Sequence, residues 1–307
     1  MIRTLTSCFL TGGTGFFGKS ILSMLNRGFG KGMELTILSR NPEDFLSSCP
    51  EFLGLKQVHF LTGDVRDFVF PKQSFDYVLH AAAPACAMPP GVERDIIVNG
   101  TRRVLDFARQ CGARRLLYVS SGAVYGPQPP ELERISEDYP CKPITEYGIA
   151  KYEAEQMCLE SGIDCVIARC FAFVGPYLNR NIHFAIGNFI RDCLAGKDIE
   201  IKGDGTPFRS YLYADDLVEW LFKVLLDGKS GSAYNIGSDQ AISIRNLAEV
   251  VRRVLKSDND ILVRGTPIPG KAAERYVPDV SKIRQELNVS IKTDLKEAIL
   301  KTLGVVY

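Results

Sequence analysis

The chain has 307 residues, 46% of them hydrophobic and 24% charged, which is ordinary for a globular enzyme and long enough for one large or two unequal domains around a substantial core. Its net charge of +1 excludes broad electrostatic binding to nucleic acid or to a membrane surface. The first ten residues hold one arginine and no long apolar core before a small-residue cleavage site. No stretch approaches the roughly 18 apolar residues of a membrane span, so a cytoplasmic location is expected. The cysteines at 8, 49, 86, 111, 141, 158, 165, 170 and 193 form no Cys-x-x-Cys pair, and the histidines stand at 59, 80 and 183, so neither a zinc site nor a disulfide framework is expected and no metal is assigned.

An apolar run at 5–10 reads as a strand. Next comes Thr11-Gly12-Gly13-Thr14-Gly15-Phe16-Phe17-Gly18, which opens a helix over 18–28. Strand, glycine turn and helix in that order make a phosphate cradle. Gly12 takes the tight turn, Gly15 admits a pyrophosphate close to the backbone, and Gly18 lets the helix pack on the strand. The second apolar run, 35–38, ends in Ser39 and Arg40, where a dinucleotide-binding fold usually places an acid for the adenosine ribose. A hydroxyl and a guanidinium suit a 2′-phosphate instead, which points to NADP, with NAD as the alternative.

Further apolar runs at 57–62, 77–80, 115–120 and 164–168 alternate with helical patterns at 92–111 and 145–161, the rhythm of a parallel sheet covered on both faces. Past Gly175-Pro176 the rhythm breaks into a helix at about 184–195, a short strand at 198–202, the turn Gly203-Asp204-Gly205-Thr206-Pro207 and a helix over 214–226. The expected fold is α/β: a Rossmann-type doubly wound parallel sheet with a smaller mixed α/β C-terminal lobe for the substrate. The dinucleotide-binding domain is expected over 1–175 and about 213–240, and the second lobe over about 176–212 and 241–307.

The chemistry centres on Ser121, Tyr147 and Lys151. Tyr147 and Lys151 stand four residues apart at the start of a helix, on one face. Tyr118-Val119-Ser120-Ser121 ends the preceding buried strand. A phenol titrates near pH 10, so an adjacent ammonium is expected to lower it towards neutrality, while Ser121 hydrogen-bonds the reacting oxygen. These residue types fit hydride transfer between a nicotinamide and a sugar carbon.

On these residues the chain resembles the extended short-chain dehydrogenase/reductase family, the nucleotide-sugar epimerases, dehydratases and 4-ketoreductases. The resemblance also rests on Gly63-Asp64-Val65, His80-Ala81-Ala82-Ala83, Val98-Asn99-Gly100-Thr101, Gly175-Pro176 and Arg209-Ser210-Tyr211-Leu212-Tyr213-Ala214-Asp215-Asp216-Leu217. It implies that Thr14, Phe16 and Phe17 join the glycines in the cradle, that Asp64 and Val65 flank the adenine, that Ala81, Ala82 and Ala83 line the cofactor channel, and that Asn99 sits on the helix beneath the active site. Arg209 matches the family's clamp on the substrate diphosphate; the competing reading is a salt bridge to Asp215 or Asp216. Asn179, Asn181, His183 and Asn188 are weaker candidates for sugar or base contacts. The resemblance also implies a homodimer that pairs the helices at 92–111 and 145–161.

Departures from the family pattern narrow the activity. Dehydratases of the family follow the active-site Ser or Thr with an Asp-Glu pair, and here those positions are Gly122 and Ala123. The family's Arg-x-Phe-Asn reads Arg169-Cys170-Phe171-Ala172, which puts sugar contacts there in doubt. The expected partner is therefore a nucleotide-diphosphate sugar, and the expected activity is an NADPH-dependent reduction of a 4-keto-6-deoxy sugar nucleotide. The alternatives are an NAD-dependent 4-epimerase and a non-catalytic NADP-sensing protein.

Overall fold

Runs such as Cys8-Phe9-Leu10 offer no polar face to water, so they become central strands with both faces covered. The computed structural model describes residues 6–84, 88–89, 91–182 and 184–304. Its first half runs β1 (Ser7–Thr11), α1 (Phe16–Asn26), β2 (Glu34–Ser39), α2 (Pro42–Ser48), β3 (Val58–Thr62), β4 (Tyr77–His80), α3 (Val92–Gln110), β5 (Arg115–Ser121), α4 (Glu146–Glu160) and β6 (Cys165–Cys170). The second half continues with β7 (Phe173–Val174), α5 (Ala185–Leu194), β8 (Ile199–Ile201), β9 (Phe208–Arg209), β10 (Leu212–Tyr213), α6 (Ala214–Asp227), β11 (Ala233–Ile236) and β12 (Ile242–Ser243). It ends with α7 (Ile244–Val254), β13 (Ile261–Val263), β14 (Arg275–Tyr276), α8 (Ser281–Leu287) and α9 (Leu295–Leu303).

Seven strands form one parallel sheet in the order β11-β6-β5-β4-β1-β2-β3. The winding reverses between β1 and β4, which opens a crevice at their carboxyl ends where a ligand can enter. Along β1 the side chains alternate: Cys8 and Leu10 pack on the face covered by α1 and α6, and Phe9 on the face covered by α3 and α4. Phe9 meets Phe107, Phe75 and Phe68 with ring centroids 4.5, 5.3 and 5.6 Å apart. Each such pair contributes about 0.5–1.5 kcal/mol beyond simple burial. β1 and β5 extend past their apolar runs to Thr11 and Ser121, because the ladder continues to His80 and Cys170 on the neighbouring strands. That extension carries Ser121 to the sheet's carboxyl edge.

A separate apolar cluster joins α5, α7 and α9 with β8 over that edge. There the strands β12, β9 and β14 form a small sheet in which Tyr276 lies opposite Arg209. These strands span two residues each, too few for alternation to be visible in sequence. Within the segment expected to form the smaller lobe, α8 goes the other way: Ile283 and Leu287 pack into the large sheet's core beside α6 and β11. Among the described residues no helix is long and apolar enough to cross a membrane.

Candidate active site

Gly12 has a φ of 75°, and a Cβ there would lie 2.6 Å from the Ala81 carbonyl carbon, so the turn demands glycine. Gly15 starts α1 without a side-chain cap and with no acidic residue in the first turn. A Cβ on Gly15 would come no closer than 3.5 Å to its nearest neighbour, the Gly12 carbonyl oxygen. An open backbone at a helix start without a side-chain cap fits the pyrophosphate of a dinucleotide. At Gly18 the missing Cβ would lie 2.0 Å from the Gly13 oxygen, so α1 packs closely on the turn as well as on β1. Gly13, which the spacing did not single out, has no room either, its Cβ position being 2.4 Å from Ile37. Thr14 is half-buried in the turn, and the rings of Phe16 and Phe17 pack towards Phe173, at 6.4 and 5.4 Å, leaving their backbone to face the cradle.

At the ribose end the structure separates Ser39 from Arg40. Ser39 is buried and its hydroxyl accepts the Asn41 N–H at 3.3 Å. Arg40 is exposed. Asp64 is bound by Arg66 at 2.8 Å, which holds its carboxyl below the usual range, with the charge of Arg40 adding to the effect. Arg66 also reaches Asp95 at 2.8 Å, and Asp95 accepts from the Asn99 amide at 2.5 Å. Asn99 therefore lies on α3 as expected, exposed and within this polar network. Val65 packs over Gly100 of the same helix. The channel wall of Ala81, Ala82 and Ala83 is half-buried, and Thr11 ties it down by accepting the Ala81 and Ala82 N–H groups, each at 3.2 Å. Thr11 also meets His80 at 2.7 Å, and His80 reaches Thr101 at 3.0 Å. Burial, helped by the charge of Lys151, lowers His80 to about 3, so it is a neutral structural link.

The three predicted catalytic side chains converge. Ser121 ends β5, and its hydroxyl accepts the Ala123 N–H at 3.2 Å. Thr145 caps α4 by accepting the Gly148 N–H at 3.1 Å, which fixes Tyr147 in the first turn. Lys151, one turn further and 2% exposed, donates to the Val119 carbonyl at 2.9 Å and stands 5.8 Å from the Tyr147 ring centre. Burial pushes the Tyr147 phenol above its usual value; Tyr276, Cys170 and Glu93 oppose its ionisation, and the Ser121 hydroxyl favours it. Burial also pushes Lys151 down, to about 8, against the charges of Cys170, Glu155, Cys158 and Glu93. The phenol moves up and not down as expected, desolvation being the largest cause, and Tyr147 carries its proton at neutral pH.

Two features beside this group were not legible in sequence. Tyr276 descends from the small sheet and packs on Phe171 in a tilted ring contact with ring centres 4.7 Å apart. A Cβ on Gly122 would come within 2.8 Å of both the Phe171 ring and the Tyr276 oxygen, so the position that holds an acid in dehydratases has no room for any side chain. Beneath, Arg169 binds the wholly buried Glu155 at 2.9 Å and the Tyr125 oxygen at 3.1 Å, and Ser120 donates to Glu155. No cue of spacing marks either group.

Arg209 sits beside Tyr276 and donates to the neighbouring Phe208 carbonyl at 2.8 Å; among the described residues it has no carboxylate partner. The competing salt bridges are taken: Asp215 pairs with Arg27 at 2.6 Å, and Asp216 accepts the N–H groups of Lys292 and Thr293, both at 3.1 Å. Asn179 is exposed and its oxygen accepts the Asn181 N–H at 2.9 Å, which makes it a turn former. Asn188 accepts from Arg191 at 3.4 Å, and His183 lies outside the described residues.

The sequence profile of the NAD dependent epimerase/dehydratase family matches residues 8–237. The chain is 28% identical over 311 residues to UDP-glucuronic acid decarboxylase 1 of Xenopus tropicalis, covering 96% of this chain and 70% of that protein. It shares its fold with UDP-N-acetylglucosamine 4-epimerase from Methanobrevibacter ruminantium M1, solved with UDP-N-acetylmuramic acid, at a TM-score of 0.85, 22% identity and 98% coverage of both chains. It likewise shares its fold with UDP-glucuronic acid 4-epimerase from Bacillus cereus, solved with UDP-glucuronic acid and NAD. There the TM-score is 0.84 and the identity 21%, with 98% of this chain and 100% of that one covered.

Proposed function

The chain belongs to the NAD dependent epimerase/dehydratase family, whose relatives act on nucleotide sugars, and from that premise we propose that it reduces a 4-keto sugar nucleotide with NADPH, without dehydration or decarboxylation. The observation that carries the reading is Gly122: Phe171 and Tyr276 fill the space of its side chain, next to a Tyr147 that retains its proton. A protonated phenol with a hydroxyl beside it is equipped to hand a proton to a carbonyl oxygen.

In this mechanism the open backbone at Gly12 and Gly15 and the start of α1 hold the cofactor pyrophosphate, and Arg40 meets the 2′-phosphate. The bound nicotinamide supplies the hydride. Ser121 hydrogen-bonds the C4 carbonyl oxygen, Tyr147 donates its proton to that oxygen, and the charge of Lys151 stabilises the phenolate left behind. Arg209, with no carboxylate partner, holds the substrate diphosphate. A 6-deoxy sugar suits the aromatic wall of Phe171 and Tyr276. The outward residues Ile149 and Leu159 of α4, 47% and 41% exposed, support pairing of α3 and α4 across a homodimer, which light scattering would register as twice the chain mass. The reading places the enzyme in the cytoplasm.

A 4-epimerase that retains NAD is the second reading, favoured by the epimerases of like fold, one of them solved with NAD. Incubating the protein with a panel of nucleotide sugars, with and without NADPH, separates the two. Stoichiometric loss of NADPH on a 4-keto substrate supports the reductase; isomerisation with no net cofactor change supports the epimerase.

Two substitutions test the binding roles. Arg40→Asp is expected to shift the ratio of kcat/KM for NADPH over NADH by about tenfold or more, the equivalent of one charge-assisted contact; an unchanged ratio removes the NADP assignment. Arg209→Ala is expected to raise KM about 10- to 100-fold for the diphosphate-linked sugar and far less for the free sugar. Equal effects on both would count against the clamp.

A further inference from the structure

A neutral imidazole carries one proton, so one ring nitrogen donates and the other accepts. At His80 the neighbours decide which. Nε2 stands 3.0 Å from the Thr101 oxygen on α3, and Thr101 donates its only proton to the Ile97 carbonyl at 2.6 Å. The Thr101 oxygen is therefore an acceptor towards the ring, and Nε2 carries the proton. Nδ1 is left bare at 2.7 Å from the Thr11 hydroxyl, which donates to it. The opposite tautomer fails at both ends. It would leave the Thr101 and Ile97 oxygens 2.6 Å apart with no proton between them, and the Thr11 proton without an acceptor among the described residues. Thr11, His80 and Thr101 are buried, so bulk water does not redirect the chain.

The chain ends at the crevice between β1 and β4. With its proton drawn towards His80, the Thr11 oxygen accepts the Ala82 N–H at 3.2 Å. A Cβ on Gly12 would lie 2.6 Å from the Ala81 carbonyl carbon and 2.8 Å from the Ala82 nitrogen, so the glycine turn rests directly on the wall that Thr11 holds. We propose that His80 is a positioning residue for the dinucleotide: fixed as the Nε2–H tautomer, it orients the Thr11 hydroxyl and thereby lets α3 set the spacing between the channel wall and the glycine turn. The proposal rests on the assignment of this crevice to the cofactor made above.

Nitrogen-15 NMR of the protein without ligand, at neutral pH, reads each imidazole nitrogen as protonated or bare. The variant His59→Gln/His183→Gln leaves His80 as the only imidazole in the chain. A protonated Nε2 and a bare Nδ1 are expected; a protonated Nδ1 overturns the proposal. Fluorescence titration with NADPH or NADH, whichever the wild type binds, tests the positioning. Thr101→Val is expected to raise Kd about fivefold, the net worth of one hydrogen bond, although Thr101 is fully buried on α3. Thr101→Ser keeps the oxygen and should stay within twofold of wild type. An unchanged Kd in Thr101→Val, or equal rises in both variants, overturns the proposal. If the wild type binds neither dinucleotide, the functional reading fails, and the nitrogen spectrum still decides the direction of the chain.

Discussion

Tyr147→Phe is expected to lower kcat by about 10²- to 10⁴-fold, the range that a positioned general acid contributes. The cofactor dissociation constant should stay within about twofold, because the cradle at Gly12 and Gly15 is formed by other elements and the change removes one oxygen. Stopped-flow turnover and fluorescence titration of NADPH measure the two quantities, and near-normal turnover would remove Tyr147 from the proton path. The pH profile carries a second signature. Burial sets Lys151 at about 8, so its charge is present below that pH and is lost as pH rises through it. The wild-type rate should therefore decline on the alkaline side of about pH 8, since a phenolate is harder to form without the ammonium one turn away.

Arg169→Met is expected to destabilise the fold by about 3–5 kcal/mol, the usual cost of leaving one member of a buried ion pair alone. Glu155 is fully buried and binds Arg169 at 2.9 Å, while the same guanidinium holds the Tyr125 oxygen, which in turn donates to Asn235 at 2.8 Å. The substitution therefore strands a carboxylate and loosens the turn that follows Ser121. Urea unfolding measures the loss. Adding Glu155→Gln should restore part of it by removing the stranded charge; a loss under about 1 kcal/mol would show that water reaches the pair and that the network is not a structural anchor.

The glycine turn, the sheet and the placing of Tyr147 and Lys151 on one helix were legible because local chemistry dictates them. Glycines at 12, 15 and 18 after an apolar run leave few alternatives, and a tyrosine four residues before a lysine shares a helical face with it whatever surrounds them. What the sequence concealed depends on distant segments meeting. Tyr276 comes beside Gly122 only because a two-residue strand pairs with another from a separate stretch, and such short strands leave no periodic trace. That the Ser39 hydroxyl accepts the N–H of Asn41 depends on how the next turn folds, which no spacing marks. Asn99 and Asn179 kept the positions expected of them but spend their side chains on neighbours. The sign of the Tyr147 shift also escaped: charge proximity is visible in spacing, whereas desolvation requires knowing what covers the site.

The most direct test uses NADPH carrying deuterium at the transferable position, a 4-keto-6-deoxy sugar nucleotide, and NMR of the product. The account predicts one deuterium at C4 per turnover, with the rate of its appearance collapsing in Tyr147→Phe. A product without deuterium at C4, or one formed by loss of water or carbon dioxide, would contradict it.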